Sequence, residues 1–111
     1  MKYAVNVTKK DIFNAKSGSK SVKDFLGVTL TVTGCFLLED EGVRKGTNEP
    51  CDIGYIVTNE GVMGFSSETC NKVLGDFAEY LEEAISKNET VEIMFTEHDG
   101  KNGKYLSFSI V

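Results

Sequence analysis

Residues 28–38 read VTLTVTGCFLL and predict a long β-strand. Apolar or small residues occupy every second position from Val28 to Leu38, and threonines fill most positions between them. Alternation of this kind is typical of a strand, and β-branched residues suit a pleated surface. Gly34 lies in the middle and predicts a bulge or bend, by which a long strand curls into a small barrel. We expect the even-numbered residues of this stretch to share one face.

Four further strands and one helix are expected downstream. The strands are predicted at 53–58, 62–65, 91–96 and 106–110, each from apolar alternation. A polar loop over 39–52, a tight turn at 59–61 and a glycine-containing turn over 98–104 connect them. Ser66 or Ser67 caps the helix. Its apolar stripe has the spacing of one buried helix face and consists of Cys70, Val73, Leu74, Phe77, Leu81, Ala84 and Ile85.

The residues before this pattern predict a short extension. Alternation from Tyr3 to Thr8 indicates a strand, the Ser/Gly residues 17–19 indicate a loop, and Val22–Leu26 forms one helical turn that ends at Gly27. We therefore divide the chain into an N-terminal strand/helix extension, residues 1–27, packed on a barrel domain, residues 28–111.

The order of these elements predicts the fold. Five strands with one amphipathic helix between the third and fourth indicate a mainly β, α+β domain built as a five-stranded OB-fold-like barrel. OB folds bind oligonucleotides or oligosaccharides on the face of strands 2 and 3, between the loops that follow strands 1 and 4. Here those loops are residues 39–52 and 98–104.

Composition restricts the class of protein. The 111 residues fit one domain, 41% are hydrophobic, and no run is long or apolar enough to span a membrane. Residues 1–7 are too polar for a secretory signal. The three cysteines are odd in number and form no CxxC pair, so a reducing, cytoplasmic compartment is expected. The net charge of −5 argues against binding to nucleic acid through bulk charge alone.

The C-terminal stretch 103–111 reads GKYLSFSIV. With this ending, its size, its acidic balance and its element order, the chain from Val28 onward resembles the small single-stranded DNA-binding proteins of bacteriophages. The resemblance implies an OB fold and non-catalytic binding of single-stranded DNA in replication or recombination. It also implies a location in the host cytoplasm, and replication or recombination proteins as further partners.

Single-strand binders combine cations with aromatic stacking platforms. The predicted cations lie in the two loops, and the predicted platforms lie on strands. The cations are Arg44, Lys45, Lys101 and Lys104; the platforms are Tyr55, Phe65 and Tyr105. Tyr105 is opposite in parity to Leu106 and Phe108, so we expect it to point away from the core. Tyr55 alternates in step with Ile53 and Val57, so a position in the core is as well supported for it as a role as an exposed platform.

Catalytic and metal chemistry have little support in the sequence. His98 is the single histidine, and its neighbours Glu97 and Asp99 fall on the opposite strand face, so the three side chains cannot converge. The cysteines lack metal-ligand spacing, and no phosphate-binding glycine motif is present. We expect no enzyme activity, no cofactor and no metal.

Two functions from different classes remain. The first is a nucleic-acid-binding module that prefers single strands without sequence preference. The second is a small acidic protein-interaction factor, such as an inhibitor that occupies the nucleic-acid site of a partner. The net charge of −5 and the glutamates of the helix favour the second, and the lysines of the 98–104 turn favour the first.

Overall fold

The computed structural model describes residues 1–43, 49–101 and 103–111, with the backbone alone at positions 41 and 43. The helices are α1 (Lys9–Gly18) and α2 (Glu68–Ser86), and a 3₁₀ turn covers Val22–Phe25. The strands are β1 (Tyr3–Val5), β2 (Lys20–Ser21), β3 (Thr29–Val43), β4 (Pro50–Thr58), β5 (Gly61–Phe65), β6 (Val91–Gly100) and β7 (Gly103–Ile110).

These strands form one curled half-barrel sheet. Its order is β2-β5-β4-β3-β6-β7, and β1 pairs with β3 beside this path. Neighbouring strands are antiparallel except β2, which runs parallel to β5. The domain is therefore mainly β and of the α+β class, as predicted. The expected five strands and one helix were too few, because the described chain contains seven strands and two α-helices.

A bulge at Gly34 divides the long strand β3. Val32 pairs with Thr58 but Gly34 pairs with Val57, so one residue of β3 has no counterpart on β4. The extra residue reverses the side-chain alternation. Before the bulge Leu30 and Val32 face the main core, and after it the odd-numbered Cys35 and Leu37 do. The bulge prediction is confirmed, but the expectation of one shared face is wrong beyond Gly34, since Phe36 and Leu38 lie in a second cluster.

Gly34 also lets β1 approach β3. Residues 29–32 of β3 pair with β6, whereas residues 35–37 pair with β1 on the same side. A Cβ atom at Gly34 would lie 2.7 Å from the Asn6 carbonyl oxygen and 2.8 Å from Val7 Cγ1. The Asn6 side chain in turn donates to the Thr33 carbonyl at 2.8 Å. The missing side chain thus makes room for the change of partner from β6 to β1.

We expect Gly34→Ala to lower the free energy of unfolding by about 1–3 kcal/mol, because the new methyl group overpacks this crossing. Gly75→Ala is the matched control. Gly75 lies inside α2 with open space where a Cβ would be, so alanine there should add about 0.5–1 kcal/mol. Urea unfolding measures both. Destabilisation of equal size in the two variants would contradict a special role for Gly34.

The main core lies between the sheet and α2. Ser67 caps the helix, since its Oγ accepts from the Cys70 amide at 3.3 Å, and Asn88 follows the helix with φ of 56°. The predicted apolar stripe is confirmed, with Leu74, Phe77 and Leu81 buried. Four rings meet at its centre. Phe108 lies 5.2 Å from Phe77, 5.4 Å from Phe95 and 6.3 Å from Phe65, between ring centroids.

Helix α1 covers a second, smaller core on the opposite face of the sheet. Thr8 Oγ1 accepts from the Asp11 amide and an Asp11 carboxylate oxygen accepts from the Thr8 amide, which forms a capping box. Ala15 is buried against the cluster that contains Phe36 and Tyr55. The predicted loop at Ser17 and Gly18 is wrong, because these residues end α1. The Thr8-x-x-Asp11 spacing is the sequence signal that indicates this helix.

The two predicted loops are mostly strand. β3 extends to Val43 and β4 begins at Pro50, and likewise β6 extends to Gly100 and β7 begins at Gly103. Glu39, Asp40 and residues 97–100 are exposed without alternation, so they lack the pattern that marks a half-buried strand.

We expect Phe108→Ala to lower the free energy of unfolding by about 3–5 kcal/mol, because it removes the ring that contacts three others. Phe13 on α1 is the matched control, because its side chain is 70% exposed and the same substitution there removes a ring that is not in the core. Phe13→Ala should change stability by at most about 0.5 kcal/mol. Chemical denaturation decides between these values, and equal losses would show that Phe108 is not a core residue.

Candidate nucleic-acid interface

Two of the predicted cations, Arg44 and Lys45, lie outside the described residues. The remaining predicted site residues fall on three different parts of the sheet. The structure buries two of the predicted aromatic platforms and brings the third together with the two remaining lysines at the end of the β6–β7 hairpin.

Tyr55 is not an exposed platform. Its side chain is only 6% exposed and its ring stacks on Phe36, with centroids 4.9 Å apart and planes 17° apart. α1 contributes Ala15 and Ile12 to the same cluster. The ring faces the predicted side of the sheet, but the helix that sequence reasoning missed covers that side. A base cannot stack on Tyr55 in this arrangement.

Phe65 is a core residue. It is 6% exposed and its ring lies 5.9 Å from that of Phe95 in an edge-on arrangement. β5 alternates so that Met63 and Phe65 point inward together. The prediction of a stacking role for Phe65 is therefore wrong, since a position at the end of a strand does not expose a side chain that shares parity with the core.

Tyr105 is 40% exposed, as its position in the alternation predicts. It lies directly opposite His98 on β6, and the two rings stack with centroids 5.4 Å and planes 26° apart. The His98 ring nitrogen Nε2 shares a 2.8 Å hydrogen bond with the Thr96 hydroxyl, which fixes the imidazole. A Cβ at Gly100 would lie 3.1 Å from the tyrosine ring, so the glycine makes room for it.

Sequence reasoning assigned His98 to a loop and missed this pair. The sequence signal for the pair is that the two ring residues lie symmetrically about a glycine-rich turn. Gly100 pairs with Gly103, and the next pair on the same face is His98 with Tyr105. Residues that alternate on one strand face and oppose each other across a hairpin form a cross-strand pair. An exposed stacked pair of this kind offers an aromatic surface to a planar ligand.

Both remaining lysines lie on this hairpin, Lys101 at the turn and Lys104 on the strand face opposite to that of Tyr105. Lys101 is exposed at the turn, and Lys104 is exposed with its Nζ 3.6 Å from a carboxylate oxygen of Glu97. Ion pairs of this length at an exposed site contribute little, so Lys104 remains available to a competing anion. Glu97 and Asp99 lie on the same hairpin and offset the two positive charges. The local charge is balanced rather than strongly basic.

A groove of about 730 Å³ separates the two edges of the curled sheet next to this hairpin. One wall comes from Ser21–Lys23 and residues 64–67, and the other from Glu97 and residues 104–106. The walls carry two lysines, Lys23 and Lys104, and one acid, Glu97. The groove is therefore polar and continuous with the exposed end of the hairpin.

A second concavity of about 590 Å³ lies between α2, β1 and the β3–β4 hairpin. The Tyr3 hydroxyl and Asn71 Oδ1 are buried there without a hydrogen-bond partner among the described residues. Burial, followed by the nearby Cys35 and Asp52, raises the pKa of the Tyr3 hydroxyl to about 12. Asn71 is held by a 3.1 Å hydrogen bond from its amide nitrogen to the Asp52 carbonyl.

Within residues 1–43, 49–101 and 103–111, no group of three histidine, cysteine or acidic side chains is placed to hold a metal ion. No helix in the same described residues has the length and apolar character to cross a membrane.

No protein-family model matches the chain, and neither a curated protein nor a solved structure matches it. A function is therefore inferred from the residues of the site.

The buried cysteines predict a loss of stability at alkaline pH. Burial raises the pKa of the Cys35 and Cys70 thiols from 9.0 to about 12, although the Ser67 hydrogen bond opposes this at Cys70. A raised folded-state pKa stabilises the fold fully below pH 9, and this contribution is lost as pH rises through 9 toward 12. We expect the free energy of unfolding, measured in urea, to fall over that range.

Cys35→Ala should reduce the slope of this fall, because it removes one of the titrating thiols. Val32→Ala, which removes buried carbon atoms without a titratable group, should lower stability by the same amount at every pH. A Cys35→Ala slope that equals the wild-type slope would contradict the assignment.

Proposed function

We propose that this protein is a non-catalytic binder of single-stranded nucleic acid, and of single-stranded DNA in the first instance. The site is the end of the β6–β7 hairpin, defined by His98, Lys101, Lys104 and Tyr105 and called the hairpin site below. The observation that carries the proposal is the exposed stack of His98 on Tyr105, with ring centroids 5.4 Å apart. Two exposed lysines lie on the same hairpin, Lys101 at the turn and Lys104 on the opposite strand face.

We further propose that the curled sheet is a partly open OB-type barrel. Strands β3 to β7, with α2 between β5 and β6, retain the predicted order of five strands and one helix. In this assignment β6 and β7 are strands 4 and 5, and the turn between them is one of the two loops that bind ligands in OB folds. The hairpin site thus falls on a functional region of the proposed fold class.

The location of α1 explains why the site lies on this hairpin. Strands 2 and 3 of the proposed barrel are β4 and β5, and α1 covers Tyr55 of β4 on their outer face. The aromatic surface on β4 is consequently occupied by the protein itself. The described hairpin β6–β7 is not covered by α1, and Tyr105 is 40% exposed there.

Stacking supplies most of the affinity in this proposal. Base–aromatic stacking contributes about 1–3 kcal/mol per base and tolerates any sequence, because every base has a π face. The chain carries a net charge of −5, so long-range attraction to phosphate is weak. Lys101 and Lys104 add short-range phosphate contacts. Such a site favours unpaired strands, since the bases of a duplex are already stacked on each other.

We expect Tyr105→Ala to weaken binding of a labelled oligonucleotide by about 1–3 kcal/mol without changing its salt dependence. Lys101→Ala combined with Lys104→Ala should reduce the slope of log affinity against log salt by about 1.4, since each phosphate contact on a single strand adds about 0.7. Fluorescence anisotropy across a salt series measures both quantities.

Two control variants match these changes elsewhere on the surface. Phe13→Ala removes an exposed ring of α1, and Lys9→Ala with Lys10→Ala removes two exposed lysines of the same helix. Both should bind like wild type. An effect of Phe13→Ala as large as that of Tyr105→Ala would move the site to α1, and absence of any binding by wild type at low salt would refute the proposal.

A second candidate has one observation in its favour. The outer face of α2 exposes Glu79, Glu82 and Glu83, and only Glu83 is paired, with Lys87 at 3.0 Å, among the described ion pairs. An acidic helix face of this kind suits a protein-interaction factor that occupies the basic nucleic-acid site of a partner. Failure of wild type to bind oligonucleotide favours this alternative.

A further inference from the structure

Strand β7 is an edge of the sheet whose outward hydrogen-bonding groups follow from its register. β7 pairs with β6 alone among the described strands. The Val111 amide donates to the Glu92 carbonyl at 2.9 Å, so odd-numbered residues from 103 to 111 bond toward β6. The amides and carbonyls of Lys104, Leu106, Phe108 and Ile110 therefore point away from the sheet.

Beyond Lys104, this edge lacks the features that normally prevent edge-to-edge pairing. Natural edge strands carry charges, prolines or bulges, or are covered by another element. Residues 105–111 read YLSFSIV, with no charge and no proline, in a chain in which 26% of residues are charged. The pairing of β7 with β6 continues from Gly103 to Ile110 without a bulge.

An apolar groove runs beside the second half of this edge. α2 contributes Val73, Phe77 and Tyr80, and β7 contributes Phe108 and Ile110, to a groove of about 210 Å³. Tyr80 and Ile110 are each 45% exposed. Asp76 is the charged residue of its lining. Exposed apolar surface next to an unpaired strand is typical of an interface.

We propose that β7 pairs antiparallel with β7 of a second copy, which joins two half-barrels into a symmetric dimer. The outward-pointing residues 104, 106, 108 and 110 are symmetric about Ser107. A two-fold axis there pairs Leu106 with Phe108 and Lys104 with Ile110 of the other copy, and it satisfies every outward group. A twofold interface requires such a self-complementary patch.

The charges at the two ends of β7 favour a second copy of this chain as the partner of the edge. In this register Lys104 of each copy comes next to Ile110 of the other, whose groove contains Asp76. One cation and one acid therefore meet at each end of the paired strands, and no like charges face each other between them. The proposal does not depend on nucleic-acid binding, and the two can fail separately.

The first test is the mass of the full chain by light scattering over a wide range of protein concentration. We expect twice the 12.2 kDa of one chain. Ile110→Lys should dissociate to 12.2 kDa, because it places a second lysine next to Lys104 of the other copy at each end of the paired strands. Phe13→Lys, the same change at an exposed apolar position of α1, should remain a dimer. A wild-type monomer at every concentration overturns the proposal and leaves the edge to a strand of another protein.

The second test fixes the register by cross-linking in a Cys51→Ser background, which removes the half-buried native thiol. The axis places the two Ser107 side chains opposite each other, about 4.5 Å apart at Cα. The two Ser109 positions are then four residues out of register, about 13 Å apart, beyond disulfide reach. Oxidised Ser107→Cys should run as a covalent dimer and Ser109→Cys should not. A dimer that cross-links equally in both variants, or in neither, overturns β7 pairing.

Discussion

The bulge at Gly34 is the constraint on which the rest of the structure depends. One extra residue in β3 reverses which side chains face inward, so a single strand supplies Leu30 and Cys35 to the main core and Phe36 to the second cluster. Gly34, which follows the unpaired Thr33, has no side chain and so allows β1 to replace β6 as the partner of β3. Without the extra residue, Cys35 and Leu37 would face α1, and Phe36 and Leu38 would face the main core.

The second cluster in turn bears on the location of the proposed binding site. Phe36 and Tyr55 stack on the outer face of the sheet and would form an exposed aromatic surface there. Helix α1 covers this surface with Ala15. The exposed ring pair lies instead on the β6–β7 hairpin, where His98 is exposed and Tyr105 is 40% exposed. Packing in the middle of β3 thus leaves β6 and β7, and not β4, as the location of the proposed site.

Periodicity predicted those parts of the fold that one local pattern determines. The stripe of α2 and the outward direction of Tyr105 follow from alternation within a single element. The predictions of exposure for Tyr55 and Phe65 failed because the exposure of a side chain depends on which other elements pack against it. α1 shows why: only Ala15 is buried, so its apolar pattern is weak, and its capping residues Thr8 and Asp11 carry the signal instead. The His98–Tyr105 contact depends on hairpin register, and its sequence signal, two rings placed symmetrically about the glycines of the turn, is recognised only when that register is known.

Charge balance links the proposed function to the proposed assembly. Each hairpin site carries two lysines that Glu97 and Asp99 offset, so a single site gains little from phosphate attraction and depends on one stacked ring pair. Pairing of β7 across Ser107 would place two such ring pairs on one continuous outer face, with the Tyr105 residues offset by four positions, about 13 Å along the strands. A strand held at one site then reaches the second at high effective concentration, so avidity replaces the electrostatic attraction that an acidic chain lacks. In this arrangement the uncharged residues 105–110 of β7 serve binding indirectly, because charges in the middle of the edge would keep the copies apart and leave each weak site alone.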